Sequence, residues 1–227
     1  MNQHENIVRI KAVHNALEEL ALEVVFVGGA TVSLYSDRPS GEIRPTDDVD
    51  ILIELLHYKE YSAIEEKLRK KGFVNDIESG VICRYLVRGI TVDVMPTSEE
   101  ILGFANKWYA EAFRHAQVIN LDEEYSLRIF SAPYFIATKF EAYKSRGGND
   151  GRTSTDFEDI IYLMNNRTTL WQELKEAPEN LQQYLKIEFA ALISQPYIDE
   201  WISSHLDYHE QRRVKNIIGS INEFVAD

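Results

Sequence analysis

The chain is short of cysteine. Cys83 is the only one among 227 residues, so no intrachain disulfide can form and stability must come from a buried core. No secretion signal is expected either, because Met1-Asn2-Gln3-His4-Glu5 holds neither a basic cluster nor an apolar run. With a lone thiol, the expected setting is cytoplasmic. No apolar run approaches the length of a membrane span, and no membrane partner is expected. Positive charge is scarce. Lys and Arg number 24 against 37 Asp and Glu, a net charge of -13, which weighs against broad non-specific binding to nucleic acid, because that needs basic surface to displace counterions. At 44% hydrophobic and 11% aromatic residues, the chain is globular rather than disordered.

What is present divides into two halves. Residues 7–22 carry Ile7, Ile10, Val13, Leu17, Leu20 and Leu22 at helical spacing. A strand at 24–27 ends in Gly28-Gly29, and 29–35 is expected to open a second helix. Residues 36–41 are a loop by composition. Residues 48–53 alternate as a strand. Residues 58–71 form an amphipathic helix closed by Gly72. Strands are expected at 73–74, 81–87 and 90–95, with Arg88-Gly89 as a tight hairpin. After residue 97 strand signals become rare. A helix is expected from Ser131-Ala132-Pro133 through Arg146, with proline early, where its missing N–H costs nothing. A glycine-rich loop follows at 147–151. Thr155 with Glu158 reads as a capping box opening a helix with Phe157, Ile160, Ile161 and Met164. Further helices are expected at 181–194, 198–206 and 208–224. The expectation is an α+β fold, with a mixed α/β domain over 1–97, a mostly helical domain over 98–227, and a cleft between them as the default ligand site.

The run Arg44-Pro45-Thr46-Asp47-Asp48-Val49-Asp50-Ile51 carries the chemistry. Residues i and i+2 of a strand share a face, so Asp48 and Asp50 stand side by side. The strand at 90–95 carries one more acid, Asp93, and brought alongside it completes a triad. Two unit charges about 4 Å apart repel by roughly 4 kcal/mol at an effective dielectric of about 20. A proton or a cation relieves that crowding. Oxygen ligands suit a hard divalent ion, Mg²⁺ first, and carboxylate-held Mg²⁺ usually works on phosphates. Arg84, Arg88, Lys139, Lys144, Arg146 and Arg152 form a partial basic cluster able to face the acids and receive a triphosphate.

Gly28-Gly29, then Asp48-Val49-Asp50, then Asp93 on a later strand, resembles the DNA polymerase β-like nucleotidyltransferase superfamily. Within it the chain is similar to the AbiEii-type nucleotidyltransferases, which include the MenT-like toxins. The run 136–146, with Lys139, Ala142 and Arg146, is similar to that family's helix motif. Thr155-Asp156-Phe157-Glu158-Asp159 is similar to its acidic DxxD helix, and Thr46 also matches. The resemblance spans about residues 20–167. It implies a polymerase-β-like fold with a short mixed sheet followed by a helical bundle. It also implies an NTP as substrate, Mg²⁺ (one or two ions) on Asp48, Asp50 and Asp93, and Asp93 as acceptor of the proton of the attacking hydroxyl.

By the same resemblance Gly28, Gly29, Thr46, Lys139, Arg146, Asp156 and Asp159 attend the nucleotide. The glycines allow close approach of backbone to a phosphate, Lys139 contacts it, and Asp156 or Asp159 orients Lys139 or Arg146. The stretch between Gly29 and Asp48 is longer than the superfamily's usual spacing, and the extra residues are expected as a surface extension. The acceptor implied is a tRNA or another cellular target, with a cognate antitoxin as a possible partner. Two other readings remain. One is a small-molecule adenylyltransferase of the aminoglycoside-modifying kind, which the acidic balance suits. The other is a non-catalytic nucleotide-binding or protein-interaction module. Cys83, inside an apolar strand, reads as a core residue. His205 and His209 read as an exposed helix end, and Trp108, Tyr109 and Phe113 as packing residues.

Overall fold

The computed structural model describes residues 2–38, 43–55, 57–146 and 150–227. The loops read at 39–41 and 147–149 lie outside them. The protein is a mixed α+β fold of two units, Met1–Ser33 with Glu42–Ser131, and Leu34–Gly41 with Ala132–Asp227.

The first unit holds the sheet. Its elements are α1 (Asn2–Leu17), β1 (Val24–Val27), β2 (Asp48–Ile53), α2 (Tyr58–Lys70), β3 (Val74–Asn75), β4 (Arg84–Val87), β5 (Ile90–Pro96), α3 (Glu99–Leu102), α4 (Tyr109–Arg114), β6 (Gln117–Asn120) and β7 (Ser126–Ile129). The strand order is β3-β4-β5-β2-β1-β7-β6. β2 and β5 run parallel, as do β1 and β7, and the other pairs are antiparallel. β1 is apolar throughout and buried at every position, as a central strand covered on both faces must be. On α2, Tyr61, Ile64 and Leu68 are buried, and Glu65 accepts a hydrogen bond from the Tyr85 hydroxyl on β4 at 3.2 Å. Glu60 accepts from the backbone N–H of His57 at the start of that helix, and Gly72, at φ 88°, follows its end.

Several expectations move. The first helix starts at Asn2 and stops at Leu17, because Glu18 takes φ 52° and the chain tightens into a 3₁₀ turn over Glu18–Leu22. The expected helix at 29–35 is a seven-residue 3₁₀ segment, Gly29–Tyr35. Residues 81–83 are a turn leading into β4, with Arg84 N–H bonded to Val81 O at 3.1 Å. The sheet does not end near residue 97. β6 and β7 pair as a hairpin, with Asp122 Oδ1 accepting the backbone N–H groups of Glu124 and Tyr125, and β7 pairs with β1. The sheet unit runs on through Ser131, and the helical unit takes Leu34–Gly41 as well as the chain from Ala132. The backbone hydrogen bonds of a long-range pair tie residues 117–129 to a strand a hundred residues earlier.

The second unit is helical: α5 (Ala132–Ser145), α6 (Thr155–Asn166), α7 (Leu170–Glu176), α8 (Glu179–Ile193), α9 (Ile198–Ser204) and α10 (Val214–Ala226), with 3₁₀ segments at Gly151–Thr153 and Tyr208–Arg213. Phe140, Phe189, Trp171 and Phe224 meet in one aromatic cluster, with ring centroids 5.1 to 6.2 Å apart. Phe157 packs against Tyr143, Trp201 and His205. The α6 cap is Ser154 rather than Thr155. Ser154 keeps extended dihedrals and its Oγ accepts from Phe157 N–H at 3.2 Å. The single helix expected at 208–224 is a 3₁₀ segment feeding α10, whose buried stripe is Val214, Ile217, Ile221 and Phe224. Among the described residues no helix is long and apolar enough to cross a membrane.

Cys83 is buried, as a core residue should be. Burial first, and the nearby Asp93 charge second, push its thiol up to about 11. At pH 8 the thiol stays protonated, so a disulfide reagent should label the native chain at least tenfold more slowly than the urea-unfolded chain. Equal rates would place Cys83 at the surface.

Candidate metal centre

The acids meet because of strand register. Asp50 lies opposite Asp93 across the parallel β2–β5 pair, and Asp48 lies opposite Thr91. Opposed residues on neighbouring strands share a face, as do residues two apart on one strand. Asp48, Asp50 and Asp93 therefore project together, and each offers a carboxylate oxygen within 4.8 Å of the others. Asp93 is buried, while Asp48 and Asp50 are half-buried. Asp47, on the opposite parity, is exposed and outside the group.

The register row extends on both sides. Val27 of β1 faces Asp50, and Arg84 of β4 faces Asp93. The Arg84 guanidinium forks onto Asp93, Nε to Oδ1 and Nη2 to Oδ2, each at 2.8 Å, and Nη2 also reaches Asp48 Oδ2 at 3.4 Å. The hydrogen bonds to Asp93 raise the Arg84 pKa against the opposing effect of burial, and the Asp93 and Asp48 charges raise it further. The sequence singled out Arg84 only as one basic residue among several. Its fork depends on cross-strand register, which composition does not carry.

Gly28 follows Val27 at φ 72°, and a Cβ there would stand 1.8 Å from Asp50 Oδ2. A Cβ on Gly29 would meet Arg44 Nη2 at 2.8 Å and Thr46 Cγ2 at 2.9 Å. The two glycines thus make room for side chains of the acid site. Thr46 is buried, and its hydroxyl lies 3.1 Å from Asp48 O. Asn6 of α1 is fully buried. Its Oδ1 accepts the Thr46 N–H at 3.2 Å, and its amide donates to Arg44 O. Asn6 pins the start of β2, and nothing in the sequence marks it for that task. Three carboxylates and no softer donor suit a hard cation, so the residues fit a divalent ion with oxygen ligands.

Lys139, Arg146, Asp156 and Asp159 come together in the helical unit. Lys139 Nζ lies 3.1 Å from Asp156 Oδ1 and 2.5 Å from Asp159 Oδ2. Arg146 Nη1 is 2.6 Å from Asp156 Oδ2. Asp156 and Asp159 are three apart on α6 and share a helix face, and Lys139 on α5 and Arg146, in the turn just after α5, reach them from the neighbouring segment. Lys139, Asp156 and Asp159 are all buried.

A second possible ligand group, Asp207, His209 and Glu210, lies in the Tyr208–Arg213 turn region. Glu210 there bonds Arg38 at 3.0 Å and Asn165 at 2.8 Å. His205 is apart from it, with Nε2 2.7 Å from Gly151 O. Trp108 and Phe113 are buried as packing residues, with the Arg128 guanidinium over the Phe113 ring.

Three substitutions test this geometry. Gly28→Ala forces a side chain onto Asp50 and into the left-handed region, so it should cost about 1–3 kcal/mol of stability in urea melts. Gly29→Ala meets Arg44 Nη2 and the pinned Thr46 Cγ2 but is not in the left-handed region, so it should cost less. Lys139→Met removes the buried cation that lies between Asp156 and Asp159, while Arg146 still holds Asp156, and should lower stability by ~3 kcal/mol. A melt unchanged by it would show that the ions are solvated.

Comparison of the chain with models of known protein families gives no match, and no curated protein matches it.

Proposed function

We propose that this protein is a nucleotidyltransferase that moves a nucleoside monophosphate from an NTP to an acceptor hydroxyl and releases pyrophosphate. The observation that carries the reading is the convergence of Asp48, Asp50 and Asp93 from two parallel strands. A cluster of that charge on a strand end is costly unless positive charge attends it. The glycine turn at 28–29, the buried Thr46 and the Asn6 brace hold the cluster in shape, which a merely solvated strand end would not need.

On this reading Asp48, Asp50 and Asp93 would hold Mg²⁺, one ion or two, and the ion would supply positive charge against the phosphate oxygens. The chain's own groups fix the geometry of the transfer. The acceptor oxygen bonds to the α-phosphorus while the bond from that phosphorus to the bridging oxygen of pyrophosphate breaks. The electron pair leaves with pyrophosphate, and the hydroxyl proton passes to a carboxylate oxygen of Asp93. The resemblance of the acid motifs to AbiEii-type and MenT-like enzymes points to tRNA or another cellular target as acceptor, and to an antitoxin as the natural inhibitor.

The test is direct. The protein is incubated with each labelled NTP and Mg²⁺ together with tRNA, lysate proteins or aminoglycosides. Label is expected on one acceptor class, and its identity names the substrate. Asp48→Ala and Asp93→Ala should each lower transfer by roughly 10²-fold or more while far-UV circular dichroism stays unchanged. Wild-type turnover in either variant removes the acids from the reaction.

A further inference from the structure

Arg84 stands where the reaction has no obvious need of a protein cation. Its fork takes both oxygens of Asp93, the most buried of the three acids, and leans toward Asp48. The arrangement is set by the β4–β5 register, which puts Arg84 directly opposite Asp93. A planar guanidinium matches a carboxylate and a phosphate equally well, because both offer two oxygens at the right spacing. It also repels a divalent ion a few ångströms away.

We infer that Arg84 is a resident counter-ion of the acid site that competes with the divalent cation for Asp93 and passes to the triphosphate when nucleotide binds. This rests on the nucleotidyl-transfer reading and deepens it by naming how metal and nucleotide are coupled. Without nucleotide, an ion that draws on Asp93 must share it with the guanidinium or displace it, so metal alone binds weakly. A triphosphate gives the guanidinium another anion to hold and frees Asp93. Metal and nucleotide then strengthen each other's binding, as linkage requires of two ligands that favour one arrangement. The acid site is kept charge-compensated until both substrates are present. Arg84 acts here through Asp93 and through the phosphates, as a positioning residue.

The two halves of the inference predict effects of opposite sign in a single variant. In the intact chain, Arg84→Gln should bind Mn²⁺ alone at least tenfold more tightly than wild type, read by the loss of free Mn²⁺ signal in electron paramagnetic resonance. At saturating Mn²⁺ the same variant should bind non-hydrolysable analogues of the four NTPs at least tenfold more weakly, read by calorimetry. A purely structural arginine would weaken both. Arg84→Lys keeps the charge and loses the fork, so it decides the matter if the Gln variant does not fold. It should bind Mn²⁺ about threefold more tightly and the analogues more weakly. Mn²⁺ affinity unchanged or reduced in the folded variant overturns the inference and leaves the transferase reading standing. Absence of Mn²⁺ binding in wild type and in both variants overturns the metal reading and this inference together.

Discussion

Like-charge crowding is the constraint around which the sheet unit is arranged. Three carboxylates on adjacent strands cost several kcal/mol unless cations answer them, and the fold supplies one from the next strand over. β4 is placed so that Arg84 faces Asp93 in register, and two 2.8 Å bonds from its guanidinium answer the charge of that acid. Everything near the acids follows from keeping that set close. A glycine stands where any Cβ would strike Asp50. A threonine is tied to the backbone of Asp48, and an asparagine from α1 fixes the threonine.

The helical unit answers the same electrostatic problem differently. Lys139 and Arg146 meet Asp156 and Asp159 with two cations and two anions, three of the four residues being buried. Such a network contributes little net stability over an apolar replacement, but it is costly to break one partner at a time. It fixes α5 against α6 in one rotational setting, which apolar side chains such as Phe157 and Ile160 alone would specify less sharply.

The sequence made the acid pair legible because a strand's period of two is visible in Asp48-Val49-Asp50. It placed Asp93 on a strand, and the apolar flanks told which face was buried. What it did not carry was pairing. That β2 and β5 are parallel neighbours and that Asn6 reaches Thr46 are contacts between residues far apart in the chain, set by tertiary geometry; Arg84 and Asp93 are only nine residues apart, and their pairing follows from the register of the hairpin turned at Arg88-Gly89. β6 and β7 escaped notice because each has four residues and only two apolar ones, too few for a clear alternation, and β6 is an exposed edge strand. The 3₁₀ segment at Glu18–Leu22 continues the apolar spacing of α1 through Leu20, so periodicity alone runs the two together; Tyr208–Arg213 is polar and has no such spacing, and only its adjacency to the apolar stripe from Val214 joined it to α10. The cap of α6 moved by one residue because Ser154 and Thr155 are both able caps, and backbone dihedrals choose between them.

The helical unit draws one short piece from far upstream. Tyr35 packs on Phe135 with ring centroids 4.6 Å apart, Asp37 accepts the Thr168 N–H at 3.0 Å, and Arg38 bonds Asn165 and Glu210. The polypeptide therefore visits this unit, returns to the sheet and comes back. No single scission frees either half intact: a fragment beginning at Ala132 leaves Phe135, Thr168 and Glu210 without those partners. During synthesis Asp37 must wait 131 residues for Thr168 and Arg38 must wait 172 for Glu210, so the helical unit closes on its early segment only when the chain is almost finished.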